Sequence, residues 1–282
     1  MIRLALAVAA LTLTAGCTAS NTGPAPSAVP RVVDGSTLRL PLDDYLLTGP
    51  EAALVAQARR VLMGQCLRPF GMSVPEQAAG QPGPPTLNER RYGITKADQA
   101  RHAGYRLPGD RPERPRQGGT PDPLLLGVIT GTGPAVVHGV RVPAGGCLVQ
   151  VNARLDRGEP RPADTDLAQR LTQDSFFASH GDSRVQAAIQ AWSACMRTRG
   201  FSYPDPLRAA ADPRFQAGPV TRIEIQTATA DLACKQQVNL VGIWYAVEAA
   251  AQRGTVAANA PALERIRAMN RTHLAVAHSL LG

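Results

Sequence analysis

Four cysteines in the body of the sequence are the residues best suited to covalent or metal chemistry: Cys66, Cys147, Cys195 and Cys234. None of them belongs to a Cys-x-x-Cys pair. The chain also has no His-x-x-x-His or His-Glu-x-x-His run that would complete a tetrahedral zinc site. We therefore predict neither a metal site nor a cofactor, which leaves disulfide formation as the chemistry of these four residues.

The surroundings of the four cysteines repeat in the same order along the chain. CLRPFGMSVP (66–75) aligns without a gap with CMRTRGFSYP (195–204), and CLVQVN (147–152) shares Cys, Gln, Val and Asn with CKQQVN (234–239). Each of these residue types is a small fraction of an average sequence, so two matches in the same order indicate a degenerate internal duplication.

The duplication favours one of the three pairings that four cysteines allow. Each half contains one cysteine of each kind, so the simplest pairing joins Cys66 to Cys147 and Cys195 to Cys234. Pairing across the halves, Cys66 with Cys195 and Cys147 with Cys234, stays open because a pseudo-twofold arrangement of the repeats would permit it. In the chain-entropy model each bridge over loops of this length contributes about 4 kcal/mol.

A fifth cysteine follows a short apolar segment at the N-terminus. MIRLALAVAALTLTAGC (1–17) has one cation and an apolar run that ends near Leu13, well short of the ~20 residues that a membrane-spanning helix needs. It is typical of a secretory signal, and export would place the chain where disulfides persist. The ending LTAGC resembles the lipobox of bacterial lipoproteins, with Thr14 at a position where leucine is commonest.

The lipobox resemblance implies a location. Residues 1–16 would be removed as a signal peptide, and Cys17 would become an acylated N-terminus at the outer face of the cytoplasmic membrane. Two or more acyl chains make such an anchor stable. An ordinary cleaved signal with an incidental cysteine is the alternative.

Composition shifts divide the rest of the chain into three parts. Small, polar and proline-bearing residues follow Cys17 and predict a lipid-anchored tether over 17–49. We expect a first helical half with a loop insertion over 50–156 and a second helical half over 157–282. The stretch RGEPRPADT (157–165) has the composition of a linker between the halves.

Hydrophobic periodicity predicts a mainly α, disulfide-stapled helical body. Residues 182–199 carry apolar side chains at helical spacing, with Asp182 or Ser183 as N-cap and Gly200 where the helix must end. The first copy of the repeat predicts a similar helix over about 50–71. Both copies of the cysteine motif are thus helix ends.

The two halves differ most between their cysteines. The first half has about forty extra residues, with long irregular loops around 77–85 and 107–123 and a short helix near 96–103. LLLGVITGTGPAVVHGVRVP (124–143) has two apolar runs separated by Gly and Pro, which suggest a small β-hairpin. In the second half, a helix ending at Gly254 followed by another helix predicts a C-terminal helical hairpin.

The charge balance argues against a nucleic-acid partner. Thirty basic and 22 acidic residues give a net charge of +8. The arginines are spread along the chain, and the densest run (106–119) lacks aromatic residues on which bases could stack. The partners we expect are the membrane, through the N-terminal lipid, and an envelope protein or anionic cell-wall polymer.

The sequence predicts no catalytic residue. It lacks Gly-x-Ser-x-Gly, a Walker loop and a dinucleotide-binding glycine pattern. HGDS (180–183) has three residue types of a hydrolase, but it precedes a helix and is interpreted as a helix cap. The possible binding residues are the lone side chains Tyr203, His102 and His138. A buried anchor is the expected role for Tyr203, and an exposed or structural role for each histidine.

Four stretches together resemble a set of exported lipoproteins from actinobacteria, encountered as hypothetical proteins: ERRYGIT…AGYRLP, VPAGGC, AWSACMRTRGFSYPDPL and CKQQVNLVGIWYAVE. The resemblance implies location and fold but no activity. We therefore expect a membrane-tethered, non-catalytic binding or accessory module of the cell envelope. The alternative is a cell-envelope hydrolase whose residues are scattered along the chain.

Overall fold

A computed structural model describes residues 29–75, 86–106, 122–216 and 218–282. The predicted signal peptide, Cys17 and the first part of the tether lie outside these ranges. So do the loop around 77–85 and most of the loop 107–123.

The described chain is mainly helical, as predicted. The α-helices are α1 (Gly49–Leu67), α2 (Ala97–Ala103), α3 (Pro123–Thr130), α4 (Gly146–Leu155), α5 (Leu167–His180), α6 (Ser183–Thr198), α7 (Pro206–Ala210), α8 (Arg222–Val238) and α9 (Leu240–Leu281). Short 3₁₀ helices cover Gly35–Thr37, Pro41–Tyr45, Arg68–Phe70 and Pro213–Phe215. The short helix expected near 96–103 is α2.

The long helix α9 runs past the apolar clusters of both halves. Near its start, Trp244 packs with Trp192 of α6 in the largest cluster, which also takes in Tyr92 from the first half. Farther along, α9 contacts α5 and the 3₁₀ helix at 41–45, and near its end Ala277 packs against α1 and α4. The core therefore mixes residues of both predicted halves.

The disulfides follow the pairing within halves. Cys66–Cys147 joins α1 to α4, and Cys195–Cys234 joins α6 to α8. Cys66 and Cys195, the cysteines that open the two copies of the longer motif, lie near helix ends. The glycine of each copy has the left-handed conformation expected there, with φ 70° for Gly71 and 84° for Gly200.

The C-terminal helices are divided at Asn239 and not at Gly254, so the predicted position of the break was wrong. Asn239 adopts a left-handed conformation (φ 53°, ψ 36°), which asparagine tolerates better than most residues. Gly254 and Pro261 lie inside α9 although they disfavour helix by about 1 and 3 kcal/mol. Burial of Leu263 and Ile266 just beyond them offsets this cost.

The β-hairpin is smaller than predicted, because the first apolar run of 124–143 forms helix α3. Asp122 caps that helix by accepting a hydrogen bond from the main-chain N–H of Leu124. The second run forms β1 (Val136–Val137) and β2 (Val140–Arg141), paired antiparallel. His138 and Gly139 both have positive φ, as two-residue hairpin turns require.

The predicted tether overlaps the folded body. Leu38, Leu40, Leu42 and Tyr45 are buried, so residues 34–46 belong to the core and do not extend freely to residue 49. Aliphatic and aromatic residues at this density are not typical of a solvated linker.

The chain joins the body at the corner between α8 and α9. The Asn239 side chain donates a hydrogen bond of 3.1 Å to the Pro30 carbonyl, and Arg31 donates one of 3.0 Å to the main chain of Gln236. The Pro30 carbonyl lies so close to Gly242 that a Cβ there would overlap it. The first described residues of the chain are therefore attached to the body at this corner.

The N-cap of α6 gives a first prediction, about acid stability. Asp182 accepts hydrogen bonds from the Arg184 side chain and main chain, and these lower the pKa of Asp182 to about 2. Since this folded-state pKa lies below the ordinary value of about 4, the stabilisation is present above pH 4 and is lost as pH falls towards 2. Asp182→Asn keeps a side-chain oxygen that accepts the capping hydrogen bond, but it removes the carboxyl group that titrates.

We expect Asp182→Asn to flatten the fall in melting temperature between pH 4 and pH 2.5, by an amount equivalent to less than about 1 kcal/mol because the pair is partly exposed. Circular dichroism melts across this pH range measure it. Asp166→Asn is the control, since Asp166 precedes α5 without making a side-chain capping bond. Parallel curves for the wild type and Asp182→Asn would contradict the prediction.

Candidate binding cleft

Tyr203 lies in the turn after α6. Its hydroxyl donates to Asp212 at 2.7 Å and accepts from Arg214 at 3.0 Å, and its main-chain carbonyl accepts from Ser193 of α6 at 2.6 Å. These contacts hold the 203–214 segment against α6. Tyr203 is only partly buried, so it anchors this segment through hydrogen bonds and not through the burial that was expected.

The two candidate histidines lie elsewhere, and the structure does not bring them to Tyr203. His102 is exposed, and its Nδ1 lies 2.9 Å from the Asp98 carbonyl one turn earlier in α2. His138 is in the hairpin turn with Nδ1 2.9 Å from the Phe70 carbonyl. The three predicted binding residues therefore form no common site.

The HGDS stretch closes the α5–α6 connection. Asp182 caps α6, as predicted, and His180 Nε2 lies 2.7 Å from Asp205 Oδ2 with its ring against Trp244. A hydrolase of the Ser–His type needs a nucleophile hydrogen-bonded to a histidine. Among the described residues, no serine, threonine or cysteine side chain forms a hydrogen bond with the ring of His180 or with that of His273 in α9. The stretch thus links α5 to the start of α7.

A buried ionic cluster lies where α9 meets α5. Glu248 is fully buried and accepts hydrogen bonds from Arg91, Tyr92, Ser175 and Gln252. Burial, followed by the nearby carboxylate, raises the pKa of the Tyr92 hydroxyl far above its ordinary value, so Tyr92 remains a donor. The cluster ties Arg91 and Tyr92 to α5 and α9, and Arg91 also donates to the Thr172 carbonyl of α5.

A second buried pair lies on α8. Lys235 Nζ is 3.0 Å from Asp231 Oδ2, and Trp192 Nε1 donates to the other oxygen of the carboxylate at 2.9 Å. Burial raises the pKa of Asp231, while the Lys235 charge acts in the opposite direction. Lys235 also donates to the Ile94 carbonyl, so the pair ties α8 to the segment before α2.

A cleft of about 370 Å³ lies between the loop after α4 and the second half of α9. The loop wall consists of Asp156, Glu159, Pro160 and Arg161. The helix wall consists of Arg265, Ala268, Met269 and Thr272, whose spacing of three and four residues places them on one face of α9. The loop wall overlaps the stretch interpreted as a linker (157–165).

Backbone geometry brings the loop back across α9. The chain leaves α4 through two consecutive left-handed residues, Arg157 (φ 53°) and Gly158 (φ 76°). The Gly158 N–H donates to the Ala153 carbonyl at 3.0 Å, which is typical of a helix C-terminal cap.

A histidine–carboxylate contact fixes the two walls relative to each other. His273 Nε2 lies 2.6 Å from Asp156 Oδ1, and the two side chains are only 5% and 9% exposed. The other oxygen, Oδ2, accepts no hydrogen bond from the described residues and lies 4.0 Å from Arg161. At that distance the contact is an ion pair without a hydrogen bond.

Three arginines lie in or beside the cleft, together with the two carboxylates of its loop wall. Arg161 and Arg265 line it, and Arg59 of α1 lies beside Arg161 with its Nη1 donating to Asn152 at 2.6 Å. Burial lowers the pKa of Arg59, and the neighbouring Arg161 charge lowers it further. Groups of this kind bind anions, and the two acids of the loop wall supply acceptors.

Sequence reasoning did not predict this cleft. Its cations are two of many dispersed arginines, and its loop was interpreted as a linker. His273 offered one signal, because it lies seven residues after Ile266 on the apolar face of α9. A histidine on a buried face needs a polar partner.

Comparisons with protein-family models, with curated proteins and with solved structures gave no match for this chain. Within the described ranges, no helix is both long enough and apolar enough to span a bilayer. The same ranges contain no group of three or more His, Cys, Asp or Glu side chains placed to hold a metal ion.

Proposed function

We propose that this protein is an exported lipoprotein, anchored through Cys17 to the outer face of the cytoplasmic membrane, which serves as a non-catalytic binding or accessory module of the cell envelope. The observation that carries the proposal is the N-terminal sequence, in which a short apolar signal ends in LTAGC. Acylation of the cysteine in this context yields a stable membrane anchor.

The two disulfides support export. Cys66–Cys147 and Cys195–Cys234 each join two helices of the folded body. Structural disulfides persist in extracytoplasmic compartments and are rare in the reducing cytosol.

The attachment of Pro30 and Arg31 at the α8–α9 corner supports a role in which the body presents a surface to partners. From Cys17 to the contact of Pro30 at the α8–α9 corner, 13 residues span at most about 45 Å. The cleft lies about 25 residues farther along α9, which corresponds to about 40 Å of helix. An anchored body would therefore be able to hold the cleft away from the bilayer surface.

The cleft supports binding as the activity of the body. It combines two arginines with two carboxylates, and its helix wall includes Ala268 and Met269. Concave sites with a few polar groups on an apolar floor are typical of small-ligand binding.

Replacing Cys17 with alanine tests the anchor. We expect wild-type protein to stay in the membrane fraction after a high-salt wash and to incorporate a labelled fatty acid. The variant should lose the label and at least 90% of its membrane retention, on the order of the loss expected when acylation is abolished. Cell fractionation with immunoblotting measures both effects.

Thr18→Ala is the matched control, because it changes the next residue without removing the acylated thiol. The salt wash separates lipid anchoring from electrostatic adhesion of a chain with net charge +8. Retention of Cys17→Ala in salt-washed membranes would refute the proposed anchor.

A further inference from the structure

We propose that the cleft between residues 156–161 and α9 binds a small zwitterion that carries both a carboxylate and an ammonium group, the class to which amino acids and short peptides belong. This inference rests on the proposed binding role and adds the chemistry of the ligand. It is carried by the arrangement of opposite charges on the cleft walls.

The carboxylate of the ligand would bind to arginine. Arg265 has no ion-pair partner among the described residues, and Arg161 has only the distant Asp156 oxygen at 4.0 Å. The two guanidinium groups belong to opposite walls of the same cleft. Guanidinium groups bind carboxylates through paired, charge-assisted hydrogen bonds, so both arginines have donors to offer.

The ammonium group would bind to the loop wall. Asp156 Oδ1 is engaged by His273, which leaves Oδ2 without a hydrogen bond from the described residues, although the side chain is 9% exposed. The residue as a whole is buried, and a carboxylate oxygen without a protein donor is able to accept a hydrogen bond from a ligand. Glu159, in the same wall, has no ion-pair partner in the described ranges and supplies a second acceptor.

The size of the cleft and the apolar residues of its walls limit the ligand. A volume of about 370 Å³ is at the lower end of small-molecule sites and suits a dipeptide better than a long polymer. Pro160, Ala268 and Met269 offer apolar contact to a short side chain between the two charged ends. The His273–Asp156 contact keeps the acidic wall in place, so little ordering is needed on binding.

Three related probes test the charge requirement. The full-length lipidated protein in detergent micelles would be titrated with alanyl-alanine, its N-acetyl derivative and its C-terminal amide, by isothermal titration calorimetry. The acetylated probe lacks the ammonium group and the amide lacks the carboxylate. We expect the zwitterion to bind with a millimolar or lower Kd, and each blocked probe about 10-fold more weakly.

Single substitutions in the two walls test which wall binds the carboxylate and which binds the ammonium group of alanyl-alanine. Arg265→Gln should weaken binding of alanyl-alanine about 10-fold but leave binding of the amide unchanged. Glu159→Gln should weaken alanyl-alanine by several-fold but leave the acetylated probe unchanged. Both residues are exposed, so both variants are expected to fold, unlike substitutions at the buried Asp156. Arg267→Gln is the control, because Arg267 lies on α9 outside the cleft and pairs with Glu264.

The possible results separate clearly. Equal binding of the three probes, a zwitterion Kd above about 10 mM, or no effect of Arg265→Gln would overturn the inference. Inorganic phosphate that competes with alanyl-alanine and binds more tightly would also overturn it, in favour of a plain anion site. If alanyl-alanine does not bind but Cys17→Ala is released from membranes, only the ligand class is refuted. If alanyl-alanine binds but Cys17→Ala stays in the membrane fraction, only the anchor is refuted.

Discussion

Replacing Glu248 with alanine is expected to lower the free energy of unfolding by about 3–5 kcal/mol, since it leaves a buried positive charge without its partner. Glu248 is fully buried, and Arg91 is only 12% exposed. The variant also removes the acceptor of the Tyr92 hydroxyl and of the Gln252 amide. Urea unfolding followed by circular dichroism measures the loss.

Glu264→Ala is the matched control on the same helix. Glu264 is half exposed and pairs with Arg267 at 3.3 Å, so its loss should cost less than about 1 kcal/mol. Its contact with Tyr45 is also long, at 3.3 Å. An effect as large as that of Glu248→Ala would show that burial is not the cause.

A double-mutant cycle tests whether Arg91 and Glu248 act as a pair. Once Glu248 is gone, removing Arg91 also removes the unpaired charge, so Arg91→Ala/Glu248→Ala should lose less than the sum of the two single variants by more than about 1 kcal/mol. Additive losses would contradict the interpretation that the pair itself is responsible.

Features that depend on local chemistry or on the repeat were predictable from the sequence. The within-half disulfides followed from the repeated cysteine motifs, and the Asp182 cap followed from a polar residue before an apolar period. The cap is decided by neighbouring residues along the chain, and the pairing by a motif that the sequence itself repeats.

Features that depend on long-range packing were not predictable. Gly254 is a poor helix former, yet α9 continues because residues beyond it are buried against other helices. Asn239 becomes the break partly because its side chain reaches Pro30, more than 200 residues earlier. Propensity is a weak guide wherever tertiary contacts outweigh it.

The cleft was hidden for a related reason. Its loop has the composition of a linker, and nothing near Asp156 in the sequence indicates that His273 will lie 2.6 Å away. Its arginines resemble the many others in a basic chain until the fold places two of them on facing walls. Sites assembled from distant segments leave no motif, in contrast to sites confined to one loop.

Removal of the Cys195–Cys234 bridge should also have a large effect. In the chain-entropy model, a loop of 39 residues contributes about 4 kcal/mol, so Cys195→Ala/Cys234→Ala should lower the free energy of unfolding by about that amount. Replacing both cysteines avoids a free thiol that could pair wrongly. Urea unfolding measures the loss, and peptide mapping without reductant confirms that Cys66–Cys147 is intact.

Cys66→Ala/Cys147→Ala is the comparison that separates chain entropy from packing. Its loop of 81 residues is about twice as long, so loop closure alone predicts a loss larger by about 0.6 kcal/mol. Packing predicts instead that Cys195→Ala/Cys234→Ala loses more unfolding free energy than Cys66→Ala/Cys147→Ala. Cys195 and Cys234 are both buried in the largest apolar cluster, whereas in the smaller cluster Cys147 is buried but Cys66 is only partly buried. A larger loss for the second-half pair would therefore assign the stabilisation to the core that both halves share.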